Sequence, residues 1–199
     1  MALYFIILVV ISFIVILLAI RTPLLRDAIT NKAEFTAKAI ERRLEKPKAP
    51  FSLARAQLAF WTVIISSSFA YLWYKFHYQI PGFANVNLIL LGISVGATAS
   101  AKLIDDSQKE NGNLSQDNPS EGFLKDILSD KSGVSIHRLQ NVLWTVIVGI
   151  IYIQFVAAGS GELPDESVLT ENMLILMGIS TGTYVGVKTM ENSKSQPGA

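Results

Sequence analysis

Five stretches of the chain are apolar for long enough to be read as helices that leave water. Residues 2 to 20 run for 19 positions without a charge or a proline, against the roughly 20 that a helix needs to cross a bilayer. Four more stretches follow, at about 57 to 74, 86 to 102, 139 to 158 and 172 to 188, each with helix-like apolar continuity. The third and fifth are short. Residues 86 to 101 would rise about 24 Å as a helix, so Lys102 and its counterpart Lys188 are expected to snorkel their amines to the headgroups. The first stretch is expected to be an uncleaved anchor. No Lys or Arg precedes it, and Leu18-Ala19-Ile20-Arg21 is not a small-x-small cleavage site. Its run also exceeds the roughly 7 to 15 apolar residues of a signal-peptide core.

The polar stretches divide the rest. Thr22-Pro23 opens a predicted helix that runs to Lys46 and closes at Pro47, with proline at the tolerated first position. Leu25, Ile29, Ala33, Ala37, Ile40 and Leu44 share its apolar face, and Glu34 and Lys38 form a favourable i, i+4 pair. Residues 105 to 118 are polar and lack core residues, as a flexible connector does. The expected divisions are an anchor at 1–21, an amphipathic helix at 22–51, a hairpin at 52–106, a linker at 107–134, a second hairpin at 135–190 and a tail at 191–199.

Charge adds direction. The net charge of +1 is uninformative, but its distribution is not. Loop 21 to 56 holds nine Lys or Arg, segment 102 to 138 holds five, and Lys188 and Lys194 lie near the end. That places 16 of 17 on one face, with only Lys75 on the other. Basic residues beside spans stay cytoplasmic, so the expected arrangement is N-out, C-in. Trp73, Tyr74, Phe76 and Tyr78 crowd the outer end of the second span, where amphipathic rings favour the interface. The chain has no cysteine, which removes disulfides and thiolate chemistry.

Self-comparison is the most informative step. Ser52, Arg55, Gln57, Trp61 and Thr62 match Ser135, Arg138, Gln140, Trp144 and Thr145 at an offset of 83. Gly92-Ile93-Ser94-Val95-Gly96, with Lys102, matches Gly178-Ile179-Ser180-Thr181-Gly182, with Lys188, at an offset of 86. The fold class that follows is an all-α integral membrane protein of five transmembrane helices: an N-terminal anchor plus two helical hairpins duplicated in parallel. An even number of spans per unit gives both copies the same direction. Counting inward from Arg55 and Lys102 puts Trp61 and Gly96 at one depth, about 9 Å in. The same count pairs Trp144 with Gly182, so each indole is expected to fill the space beside a glycine, with Gln57 and Gln140 a turn shallower. Small residues permit the close approach that membrane helices use for packing. Gly178, Gly182 and Gly186, with Gly92 as the weaker copy, predict a helix-helix stripe. Packing is the favoured reading of the motif; the sharper reading is an anion or lipid-headgroup site at Arg55, Lys102, Arg138 and Lys188.

The pattern of Arg-x-Gln, Trp-Thr and Gly-Ile-Ser-Thr-Gly-Thr resembles that of a family of uncharacterised bacterial inner-membrane proteins, over about 52 to 106 and 120 to 190. The resemblance implies a multi-pass inner-membrane location and carries over no activity. No ionisable residue lies well inside a predicted span, although proton relays and most coupled transporters need one. No phosphate loop, metal spacing or nucleophile motif is present, so neither a catalytic residue nor a metal or other cofactor is expected. Gln57, Ser94, Gln140, Gln154, Ser180 and Thr183 are the candidates for a polar path. Hydroxyls bonded to their own helix are the commoner outcome. The expected partners are the lipid bilayer, further copies of the chain and a cytoplasmic protein bound through residues 22–46; nucleic acid is not among them. The expected function is a non-enzymatic subunit of a homo-oligomer acting as a channel-like pore or membrane effector. A structural anchor is the alternative, and a small-solute transporter the third reading.

Overall fold

The computed structural model describes residues 1–27, 29, 32–92, 118–130 and 133–178. Among them, three helices are long and apolar enough to cross a membrane: α1 (Ala2–Arg21), α3 (Leu53–Lys75) and α6 (Ile136–Ala158). The rest is short: α2 (Lys32–Glu41), α4 (Asn85–Leu90), α5 (Phe123–Leu128), α7 (Glu171–Leu176) and a two-residue antiparallel ribbon pairing Ser129–Asp130 with Gly133–Val134. The described structure is mostly helical, with three candidate membrane spans.

Each long helix has an identifiable end. Thr22 stops α1 by turning its own N–H and hydroxyl onto the Leu18 carbonyl, just before Pro23, which cannot continue the ladder. Ser52 and Ser135 occupy the N-cap positions of α3 and α6, as expected, but make no side-chain cap bond. Gly159 closes α6 with a left-handed φ of 91°, the conformation that costs glycine least.

The helix α1 lies against α3 and runs antiparallel to it. Near its start the Tyr4 hydroxyl meets Ser68 Oγ at 2.9 Å, and the Tyr4 ring sits 5.1 Å from Tyr71. Beyond its other end, the Ser52 N–H donates to the Leu25 carbonyl. Tyr4 is the one buried side chain of α1. Val9, Phe13 and Ile20 are at least 65% exposed, which is tolerable where the surroundings are lipid tails as apolar as the side chains.

Helices α3 and α6 run parallel. Gln57 meets Thr145, Phe60 meets Gly149 and Trp61 meets Tyr152, so residue numbers climb together on both helices. A Cβ placed on Gly149 would lie 2.5 Å from Phe60 Cζ. The missing side chain is what lets these two backbones approach.

A junction layer sits at the N-terminal end of α3. It corrects the helix predicted from Thr22 to Lys46, which among the described residues forms over Lys32–Glu41 and not at 22 to 27. Residues 25 to 27 pair with 50 to 52 instead: Asp27 N–H donates to the Pro50 carbonyl, and the Arg26 guanidinium both donates to Ala49 and lies 4.2 Å from the Phe51 ring centroid. The apolar face is corrected too. Phe35 and Ala39 are buried, while Ile40 is 72% exposed and Ala33 and Ala37 point outward. A helix restarted at Lys32 turns its bulkiest apolar ring inward. The Glu34–Lys38 pair forms as expected, at 2.5 Å.

The second limbs differ most from a simple hairpin. Helices α4 and α7 are each six residues long and are followed by Gly92 and Gly178 at φ values of +66° and +81°. Glycines in that conformation end a helix; they do not line one face of it, which corrects the placement of Gly92 and Gly178 in a stripe. Gly92 reaches the level of Leu58, whose Cδ1 lies 3.3 Å from where a glycine Cβ would stand. Backtracking from Phe76 to Leu58 spans about 27 Å, of which α4 supplies about 9 Å. Residues 79 to 84, which form no helix, join α3 to α4 and supply the rest. A chain that is not helical there can advance further per residue than a helix, and Gly92 meets Leu58, seven residues from the partner that two straight helices would give it. The remaining parts of these limbs, with Ser94, Gly96, Lys102, Ser180, Gly182, Thr183, Gly186 and Lys188, lie outside the described residues.

Trp61 is 2% exposed and packs against Phe60 and Tyr152. Trp144 is only partly buried. Trp61→Ala should therefore cost about 3–5 kcal/mol and Trp144→Ala distinctly less, read as thermal unfolding in mild detergent. Equal losses would contradict this packing order.

Candidate functional site

The chemistry that the fold concentrates is a pair of neutral amides inside the helix cluster. The first is Gln57, one turn into α3. Its Nε2 donates to Thr145 Oγ1 at 2.8 Å and to the Met177 carbonyl at 3.0 Å. The second bond explains itself. Because α7 stops at Leu176 and Gly178 turns away, the Met177 carbonyl needs a partner from outside its own ladder, and the Gln57 side chain reaches it. Thr145 completes the relay by donating its hydroxyl to the Asn141 carbonyl one turn back.

Asn87 is the second amide, fully buried on α4. Its Oδ1 accepts the Tyr152 hydroxyl at 2.8 Å, and its Nδ2 donates to the Pro164 carbonyl at 3.0 Å. Nearby, Glu166 Oε1 accepts the Val86 N–H at 3.1 Å, at the start of α4. The loop after α6 thus lies across the head of α4, sealed by buried Leu163 and Leu169. Asn87 and Tyr152 were missed by sequence reasoning. The signal available was weak: a single amide amid the apolar run from Val86 to Leu91.

The expected residues fall into three groups. Trp61 is in the core, and Gln57, one turn earlier on α3, is half-buried beside Thr145 and Met177. Gln140 and Gln154 are exposed, so neither extends a polar path inward from Gln57. Arg55 is exposed and Arg138 half-buried at the helix starts; their expected partners Lys102 and Lys188 are outside the described residues. The hydroxyls of Thr62, Ser67 and Thr145 bond backward within their own helices, as expected.

At the junction layer a buried carboxylate does the bridging. Asp126, 5% exposed, accepts the N–H groups of Phe51 and Glu121 and the Ser120 hydroxyl. Beside it, Lys125 and then Arg42 hold the Glu121 carboxyl below the usual carboxylate range. That ion cluster contributes above the range and is lost as pH falls through the depressed value.

Chemically, the interior couples hydrogen-bond donors to stranded carbonyls. Its paired amides and hydroxyls are neutral and already spent on one another. Among the described residues there is no group of His, Asp or Glu side chains that could hold a metal. No protein-family model, no curated protein and no solved structure matches the chain.

Asn87→Ala should cost about 1–3 kcal/mol for each group it strands, the Tyr152 hydroxyl and the Pro164 carbonyl. Adding Tyr152→Phe should then cost less than it does alone, because the two share one bond. Strict additivity in detergent unfolding would show that the bond is not made.

Proposed function

We propose that the chain is a non-enzymatic multi-pass subunit of the bacterial inner membrane, built as an anchor and two parallel duplicated hairpins in an N-out, C-in arrangement of five spans. It works as a homo-oligomer, acting as a channel-like pore or membrane effector. The observation that carries this reading is where unspent polar groups lie. Inside, Gln57, Asn87, Tyr152, Thr145 and Tyr4 are all bonded within the chain. Outside, Ser66 and Gln140 stand exposed on largely apolar helices. A protomer whose interior polarity is consumed in holding its own breaks acts through its outer faces, and any conduit runs between copies.

One observation favours the anchor reading as second: Ile40 is 72% exposed on α2 in the junction layer, where a cytoplasmic protein would bind. The two readings separate experimentally. The purified protein should run as an oligomer in mild detergent and pass small ions in liposomes, with Ile40→Lys leaving both unchanged. A monomer that passes nothing overturns the oligomeric reading.

A further inference from the structure

We propose that the exposed face of α6 around Gln140 and the exposed face of α3 around Thr62 are the two halves of one head-to-tail interface, through which each copy of this chain binds the next. The proposal rests on the duplicated, self-associating reading above and names the surfaces it would use.

The argument begins with an amide used only once. Gln57 and Gln140 occupy the same place in the two sequence units, as do Thr62 and Thr145, and Leu91 and Met177. Gln57 joins the first unit to the second by donating to Thr145 and to the Met177 carbonyl. If the units faced each other across a two-fold axis, Gln140 would return the contact to Thr62 and Leu91 within the same chain, because a two-fold contact is self-complementary. It does not. Gln140 and Thr62 are both exposed, and among the described residues the Gln140 amide has no partner.

The contact inside the chain is therefore heterologous: one face of the first unit against a different face of the second. A heterologous contact between two similar units leaves one unused copy of each face. Here the unused donor face belongs to the second unit and the unused acceptor face to the first. They match for the same reason that the internal pair matches.

Their shapes support the match. At the internal contact Phe60 covers Gly149. The corresponding residues on the free faces are Leu143, 54% exposed, and Ser66, also exposed. A smaller cover thus faces a larger floor, so the combined volume changes less than either residue does. The pair corresponding to Trp61 beside Tyr152 is Trp144 and Phe69, both half-buried against this chain's own core and so no part of the free faces. Neither Gln140 and Leu143 nor their proposed partners Thr62 and Ser66 carry a charge, so no ion is desolvated between them. A hydrogen bond from Gln140 to a neighbour is one of the interactions that associate helices where hydrophobic burial is unavailable.

The cysteine-free chain makes the test direct. Ser66→Cys and Leu143→Cys chains are co-expressed in one membrane and oxidised with copper phenanthroline, and each is also oxidised alone. A covalent dimer as the main product of the mixture, and at most a tenth of it from either variant alone, is expected. Dimers from one variant alone would mean a two-fold contact and overturn the proposal. No dimer from the mixture, while the untreated protein stays oligomeric in mild detergent, would overturn this surface and leave self-association standing. A monomer would overturn both. Thr62→Cys with Gln140→Cys serves as a second pair, with the same outcomes, should either first variant fail to reach the membrane.

Discussion

The fold depends on satisfying backbone carbonyls where a helix stops inside an apolar assembly. In such surroundings an unpaired carbonyl is expensive, and water is not at hand to relieve it. Two carbonyls among the described residues, one just past a helix end and one in a loop, are held by side-chain amides. Met177 ends α7 with its carbonyl held by Gln57, and Pro164 lies in a loop with its carbonyl held by Asn87. Both donors come from the other sequence unit. These two bonds tie the segment from α3 to α4 to the segment from α6 to α7.

Parallel packing of α3 on α6 follows from the same requirement. Gln57 can reach Thr145 and Met177 only if the two helix starts lie on one side, and Gly149 keeps the axes close enough for that reach. Tyr152 then stands between Trp61 and Asn87, carrying an aromatic edge to one and a hydroxyl to the other. Helix α1 contributes differently. It is held by a single buried tyrosine near its start and presents a long apolar flank outward, as an element packed on one side and solvated by lipid on the other would.

The junction layer orders the chain where it enters α3. Arg26, Phe51 and Asp126 knit together segments separated by 25 and 75 residues. This explains why the predicted helix from Thr22 gives way: extended pairing with 50 to 52 offers residues 25 to 27 hydrogen bonds that a helix on the surface would have to share with water. Local propensity favoured a helix there. Long-range backbone pairing won, as tertiary context routinely does over so weak a prior.

What the sequence determined by itself was whatever depends on composition over twenty residues or on comparison within the chain. The apolar runs at 2 to 20, 57 to 74 and 139 to 158 mark α1, α3 and α6 because length and hydropathy are properties of a segment alone. The matches of Ser52 to Ser135 and Gly92 to Gly178 located the helix starts and the later glycines without telling what the glycines do. Only the tertiary structure decided that Gly92 and Gly178 end helices, that Gln57 is spent inside while Gln140 faces out, and that Asn87 is a core residue. The physical reason is common to all three. Each depends on which carbonyl or amide lies within about 3 Å across a contact between distant segments, so residues at matched sequence positions, such as Gln57 and Gln140, meet different neighbours.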